Sequence, residues 1–532
     1  MASPAEKLAT ALGELKVLQD SGRRVFETSE LKKTNLRRLL DAGFLKPVMK
    51  GWVMSSDPAA DPGDTTPWYS SIWEFCGRYA EKRFGTDWHL SPYQSLLRHA
   101  ETNLVPKQID LVSPGASDNK VELPHETSLL DVKEERSAAP DDVEVKEGIR
   151  LWRLEPALIK VPERFFRKSP TDARICLGAV RSTAPLLGRL LDGEHSVIAG
   201  RLAGAFRNIG RPDFADEIVR TMKAAGFKVS ETDPFGGNPP LSTANLKRAP
   251  LTARIAELWG RHRATVLEEF TKARPEELSA ADYLKNVEEI YVHDAYHSLG
   301  IEGYRVTYEL IERVKSGAWS PLQNEEDRRN RDAMAARGYA LAFELVRTGI
   351  GEILDGKNAV AVLRSGYGDW YRKLFEPSVQ AGLLRASALA GFRDHPIYIK
   401  GSMHVPPSAA SVMDGMSELL DQMEKEVEPS VRAVLGHWLF GYVHPYPDGN
   451  GRMARFVMNA MLSSGGYPWT VIRKDDKERY LAALDSASVE DDLRPFANFV
   501  SDRVQWSIES LAKGEPTEVP KVEKQGPSAP GF

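Results

Sequence analysis

The stretch His444-Pro445-Tyr446-Pro447-Asp448-Gly449-Asn450-Gly451-Arg452-Met453-Ala454-Arg455 decides how this chain folds around its chemistry. A histidine precedes a turn built from Pro447, Asp448, Gly449, Asn450 and Gly451, the residue types that tight turns select. Glycine there tolerates positive φ and lets a ligand approach the backbone. Beyond the turn, Phe456, Val457, Ala460 and Met461 recur at helical spacing, so the glycines open a helix. Free amides and the helix dipole at that end favour an anion. Arg452 and Arg455, three apart, share a helical face and suit a polyphosphate. Asp448 is a hard oxygen donor suited to Mg²⁺. His444 is the nearby group able to take a proton at neutral pH. Upstream, Val434, Leu435, Trp438, Leu439 and Tyr442 mark a buried helix that ends at His444. The set points to nucleotidyl or phosphoryl transfer; the plain alternative is a helical hairpin with a core histidine.

The same stretch resembles the motif of the Fic family, His-Pro-Phe-x-Asp/Glu-Gly-Asn-Gly-Arg-x-x-Arg, with Tyr446 in place of the usual Phe. The resemblance implies an α-helical domain that transfers AMP from ATP to a hydroxyl side chain of a target protein. It casts His444 as the base and Asp448 as the Mg²⁺ ligand. Gly449, Asn450 and Gly451 become the phosphate cradle, and Arg452 and Arg455 the partners of the β- and γ-phosphates.

Residues 241–512 are expected to form this helical region. Ala281–Leu299 has the spacing of a helix and leads into Ser298-Leu299-Gly300-Ile301-Glu302-Gly303. That run resembles the family's inhibitory motif, Ser/Thr-x-x-x-Glu-Gly/Asn. It implies that Ser298, Glu302 and Gly303 set a carboxylate against Arg455, where a γ-phosphate would go. Residues 391–407 are expected to form a β-hairpin resembling the Fic flap, with a target protein bound along 393–405 by edge pairing. Lys477–Ala487 is expected to be a helix resembling the wall of an adenine site, with Tyr480 as adenine contact or as a core residue.

The start of the chain reads differently. Ala5–Leu18 is amphipathic, Thr28–Leu31 begins a second helix, and Thr34–Gly43 a third. Two short strands are expected around Lys50-Gly51. This order resembles a winged helix-turn-helix, in particular that of AbiEi-type antitoxins, over residues 1–56. Residues 1–50 carry ten basic side chains against six acidic ones, although the whole chain has net charge −5. DNA would then bind through residues 23–54, with Thr34, Asn35, Arg37 and Arg38 toward groove and phosphates and Lys50 on the wing. A small helical docking module remains the alternative.

Residues 57–235 read as a mixed α+β middle domain, loosely AbiEi-like, without a catalytic cluster. The break at Asp233-Pro234-Phe235-Gly236-Gly237-Asn238-Pro239-Pro240 is the expected boundary, and residues 513–532 the expected disordered tail. The fold class is therefore multidomain and mainly α. At 532 residues and 42% hydrophobic content the chain is globular. Its two cysteines, Cys76 and Cys176, exclude a disulfide scaffold and suit a cytoplasmic setting. No window is apolar enough for a membrane helix. Removal of AMP from a modified protein by the same site, and a DNA-binding regulator with a nucleotide-sensing Fic domain, stay open beside AMP transfer. Homodimerisation is left open as well.

Overall fold

The computed structural model describes residues 3–60, 63–236, 249–270, 278–316 and 331–512. The chain divides into two compact units, Met1–Glu257 with Ile397–Pro407, and Leu258–Pro396 with Ser408–Phe532. The expected tail, 513–532, and the end of the expected boundary, 237–240, lie outside the described residues.

The first unit begins with α1 (Pro4–Gln19), whose start is fixed by a capping box between Ser3 and Glu6 and by Pro4 in the first turn. Strand β1 (Val25–Glu27), α2 (Lys33–Asp41), β2 (Leu45–Met49) and β3 (Trp52–Ser55) follow, and the three antiparallel strands lie in the order β1-β3-β2. Gly51, at φ +87°, makes the turn between β2 and β3. Ala11, Leu15, Phe26, Leu31, Leu39, Leu45 and Val53 close a small core under this sheet. The helix expected at Thr28–Leu31 is instead a single 3-10 turn, Thr28–Glu30. The Glu30 carboxylate ties back to the Glu27 amide at 2.7 Å and to Arg23 at 2.6 Å, which fixes the turn, and Leu31 drops into the core.

Next come α3 (Thr66–Tyr69), α4 (Ile72–Phe84), β4 (His89–Leu90), α5 (Pro92–His99), β5 (Gln108–Ser113), β6 (Lys120–Glu122), β7 (Ser128–Lys133), β8 (Val143–Lys146) and β9 (Ile149–Trp152). Four of these strands form a sheet in the order β4-β5-β7-β6, with β5 and β7 parallel. Trp68, Phe75, Trp88, Leu111, Leu129 and Ile149 fill its core. Helices α6 (Leu154–Lys160), α7 (Arg164–Lys168), α8 (Pro170–Ala179), α9 (Ala184–Asp192), α10 (Ser196–Asn208) and α11 (Pro212–Ala224) surround a second cluster that includes Phe165, Phe166 and Phe206. Both cysteines are buried and free.

The hairpin expected at 391–407 does not form. Residues 397–407 belong to the first unit, where Tyr398, Met403 and Val405 pack against the core of the four-stranded sheet. The pairing is an isolated antiparallel bridge between His404 and Leu104, flanked by Val105 N–H to Met403 O (2.9 Å) and Val405 N–H to Asn103 O (2.8 Å). Pro396, Pro406 and Pro407 lack the N–H that a longer ladder would need.

The regular elements of the second unit among its described residues are helices: α12 (Pro250–Glu269, most of it here), α13 (Ala280–Ile301), α14 (Tyr308–Lys315), α15 (Arg331–Leu354), α16 (Ala359–Gln380), α17 (Val412–Lys425), α18 (Pro429–Val443), α19 (Asn450–Ser463), α20 (Lys477–Val489) and α21 (Arg494–Ala512). Short 3-10 turns join some of them. Helices α18 and α19 are its centre. Val431, Val434, Leu435, Trp438 and Leu439 on the first, and Met453, Phe456, Val457, Met458 and Met461 on the second, are all buried. Burying such side chains contributes roughly 1.5–3 kcal/mol each. The connection between these two helices therefore stands on a rigid base, and it carries the motif.

Candidate functional site

The last residue before the turn is His444, which caps α18 in a left-handed conformation, φ +50° and ψ +61°. A non-glycine residue held there stores strain, a condition that clusters at functional sites. Its Nδ1 lies 3.2 Å from the Gly441 carbonyl. A proton on Nδ1 satisfies that contact and leaves Nε2 with its lone pair. The side chain is part-buried. Burial brings its pKa down to about 4, reinforced by Arg393, while the Gly441 hydrogen bond and the charges of Glu302 and Asp448 pull it up. The imidazole is neutral at pH 7 and can accept a proton.

Tyr446 and Asn450 build the turn. Asn450 Oδ1 accepts from the Tyr446 amide at 2.9 Å, and its Nδ2 donates to the Tyr446 carbonyl at 2.7 Å. The Tyr446 ring stacks on Tyr371, centroids 3.7 Å apart. Gly449 adopts φ +81° as the residue that starts α19, with the Phe375 ring so close that a Cβ would sit 2.9 Å from it. Only glycine fits that conformation and that gap. Asp448 is exposed, and its Oδ1 accepts from the Gly449 amide at 2.6 Å.

At the start of α19 the anion position is already filled by a protein carboxylate. Glu302 follows α13, and its Oε1 accepts from Arg455 Nη2 at 2.7 Å. The same oxygen lies against Gly451, where an added methyl would collide with it. Arg455 is also held by α13: Nε donates to Ser298 Oγ at 2.9 Å and Nη2 to the Ser298 carbonyl at 3.0 Å. Burial alone would raise the Glu302 carboxyl. Arg455 and Arg452 outweigh it and hold the group below its ordinary value. Burial likewise opposes the charge on Arg455, but Glu302 more than restores it.

At this turn two buried guanidinium atoms have no hydrogen-bond partner among the described residues, Arg455 Nη1 and Arg452 Nε. Arg452 is sandwiched, its Cζ 5.1 Å from the Phe375 centroid and 5.3 Å from that of Tyr304, with Nη2 3.5 Å from Asp448. An orphaned charged donor is costly unless something accepts from it.

Ser298, Glu302, Asp448, Gly449, Asn450, Gly451, Arg452 and Arg455 thus meet around one turn, with His444 at its entrance. Gly303, at φ +86°, lets the chain turn away after Glu302. Tyr480 is a correction. It is 2% exposed, with its hydroxyl 2.8 Å from His437 Nε2, so its ring lies in the core and offers no face to an adenine. The DNA-reading set is divided. Thr34, Arg37 and Lys50 are exposed, and Arg38 is half-buried. Asn35 is buried, donating to Glu14 at 2.6 Å and accepting from Arg38 at 2.7 Å, so it cannot read a base.

Sequence reasoning missed the support behind the site. Asp294, one turn before Ser298 on α13, is fully buried and accepts from the Tyr339 hydroxyl at 2.5 Å; burial raises its pKa to about 6. Its position four residues before Ser298 was the available signal. Arg393, Phe375 and Tyr304 had none, because each reaches the turn from a distant part of the chain. No group of three or more His, Cys, Asp or Glu side chains that could hold a metal occurs among the described residues. None of their helices is long and apolar enough to cross a membrane.

The geometry defines a helical domain whose anion-accepting helix end is plugged by its own glutamate. The comparisons agree in class: residues 366–462 match the Fic/DOC family. That match holds the whole motif from His444 to Arg455. The chain is 26% identical over 277 residues to a protein adenylyltransferase Fic of Drosophila mojavensis, covering 51% of each chain. It is 27% identical over 231 residues to the protein of the same name from Culex quinquefasciatus, covering 42% of this chain and 43% of that one. The chain spans about half the length of the curated relatives it matches. A solved structure of Fic-1 from C. elegans aligns at 18% identity, covering 65% of this chain and 96% of the other, with a TM-score of 0.36, too loose a likeness to argue from.

Proposed function

We propose that this protein transfers AMP from ATP to a hydroxyl side chain of a target protein, and that Glu302 holds the reaction off. The observation that carries the reading is the carboxylate of Glu302 on Arg455 and Gly451. A protein anion occupies the place where a helix end and a buried guanidinium would grip a terminal phosphate. The unpartnered Arg455 Nη1 and Arg452 Nε support it, since phosphate oxygens would satisfy them. The relatives named protein adenylyltransferase Fic point the same way.

In the proposed reaction, His444 Nε2 takes the proton from the target hydroxyl. The oxygen attacks the α-phosphorus, the bond to the β-phosphate oxygen breaks, and pyrophosphate leaves. General base catalysis of this kind contributes about a hundred- to ten-thousand-fold. Gly451 and the amides beside it, with Arg452 and Arg455, hold the departing phosphates. Asp448 fits Mg²⁺, which binds through one or two carboxylates plus substrate phosphates and keeps several waters, and its carboxylate is 58% exposed. That ion would neutralise charge on the triphosphate. While Glu302 sits on Arg455, the γ-phosphate is displaced and the α-phosphorus falls out of line. A displacement of about 1 Å can cost on the order of a hundredfold.

Intact-mass measurement after incubation with ATP, GTP, CTP and UTP separately tests the reading. An AMP-sized addition with ATP in the Glu302→Gly variant supports it; no addition with any nucleotide overturns it.

The N-terminal module is proposed as a winged helix-turn-helix. What supports it is the β1-β3-β2 order with α1 and α2 on a shared core, and the exposure of Thr34, Arg37 and Lys50. Contacts would then be to phosphates rather than to bases, because Asn35 is engaged internally. Unchanged migration of duplex DNA at low salt for both wild type and Arg37→Ala/Lys50→Ala would remove DNA from the account.

A further inference from the structure

We propose that Arg393 is the positioning residue that locks His444 in its reactive pose, by clamping the main chain on both sides of it. The inference rests on the proposed role of His444 as base. Arg393 is 3% exposed. Its Nε donates to the His444 carbonyl at 2.9 Å, Nη2 to the Val443 carbonyl at 3.4 Å, and Nη1 to the His395 carbonyl at 3.1 Å. Its own amide donates to the Pro445 carbonyl at 2.9 Å. One residue therefore contacts Val443, His444 and Pro445 in sequence.

Two physical needs explain why a guanidinium sits there. Val443 and His444 lie at the C-terminal end of α18, where carbonyls lack intrahelical partners and a cation is favoured by the dipole. His444 is also held at φ +50°, a conformation that persists only when its surroundings over-determine it. The planar fork of arginine spans several carbonyls at once; a lysine ammonium cannot reproduce it. Burial lowers the Arg393 pKa only to about 10, so the charge stays on at neutral pH.

That charge has a second consequence. The charged groups acting on the His444 ring are Arg393, Glu302 and Asp448; the carboxylates favour its protonation and Arg393 opposes it. Arg393 thereby helps keep Nε2 free to accept a proton. These bonds run to the main chain around His444, so the expected effect falls on the base.

The test uses the full chain and two readouts. Histidine-labelled protein, with His444→Ala to assign the signal, is titrated by NMR as wild type, Arg393→Met and Arg393→Lys. Self-modification with labelled ATP is measured for the same changes in a Glu302→Gly background. Loss of the positive charge in Arg393→Met should raise the His444 midpoint by about one unit. Its kcat should fall roughly a hundredfold, with the KM for ATP within about twofold of the parent. Arg393→Lys keeps the charge but not the fork, so its midpoint stays near the parent value while kcat falls about tenfold. An unmoved midpoint in Arg393→Met, a parental kcat in Arg393→Lys, or a loss that appears in the KM for ATP would each overturn the assignment. If the Glu302→Gly parent shows no transfer, the proposed reaction fails, and the titration alone still judges Arg393. Should Arg393→Met not fold, Arg393→Lys decides between clamp and no clamp.

Discussion

Gly451→Ala is the perturbation that separates the two duties of the turn. The added methyl collides with Glu302 Oε1 and comes within 3.3 Å of Arg455 Nη1. Arg455 is buried and anchored twice to Ser298, so it cannot move far. The Glu302 side chain, 24% exposed and the end of a flexible chain, is the part that yields. The variant loses one charge-assisted hydrogen bond, about 1.5–3 kcal/mol. Alanine in a helix recovers about 1 kcal/mol relative to glycine. The net destabilisation is about 0.5–2 kcal/mol, read as a lower urea midpoint for the C-terminal unit. The methyl also fills the approach that a phosphate needs, so expulsion of Glu302 brings no gain in AMP transfer. Glu302→Gly, with the approach open, gains. The reasoning is refuted if Gly451→Ala keeps wild-type stability, or if it modifies itself as fast as Glu302→Gly.

Other outcomes follow from the same contacts. Ser298→Ala leaves Arg455 Nε buried without an acceptor and should cost about 1–3 kcal/mol, measured by urea unfolding, and should raise basal transfer by loosening Glu302. Stability should also fall as the solution is acidified. Burial lowers the pKa values of His293 and His444 to about 4 and those of His297 and His437 to about 3. Below the ordinary value of 6.5 the unfolded chain takes up protons that these folded groups refuse, so stability drops between pH 6.5 and 4. The slope is at most about 1.4 kcal/mol per pH unit for each histidine. Asp294, raised to about 6, acts in the opposite sense: the folded state holds its proton while the unfolded carboxyl loses it. Burial raises Asp110 too, and these two carboxyls against four histidines leave the net trend; a urea midpoint that rises on going from pH 7 to 5.5 would contradict it.

The motif was legible because its parts are neighbours in sequence. A histidine ending one apolar helix, a glycine-rich turn and two arginines on the next helix need no tertiary information to be read together. Glu302 was legible because it follows a helix at fixed spacing from Ser298. Arg393, Phe375 and Tyr304 were not, since long-range packing brings them to the turn. Tyr480 is ambiguous in any helix that alternates faces, and only packing against His437 decided it. Asn35 looked like a base-reading residue until Glu14 and Arg38 claimed its amide. The expected hairpin at 391–407 failed for a related reason. Its apolar residues, Tyr398, Met403 and Val405, find a core elsewhere in the first unit, and its backbone pairs with residues 103–105 instead of with itself.

The most direct measurement is the rate of AMP incorporation from labelled ATP by wild type, Glu302→Gly and the double variant Glu302→Gly/His444→Ala. The account predicts a rise on the order of a hundredfold when the carboxylate is removed, and a return to background when the imidazole is removed as well. Equal rates for wild type and Glu302→Gly, or transfer that survives without His444, would contradict it.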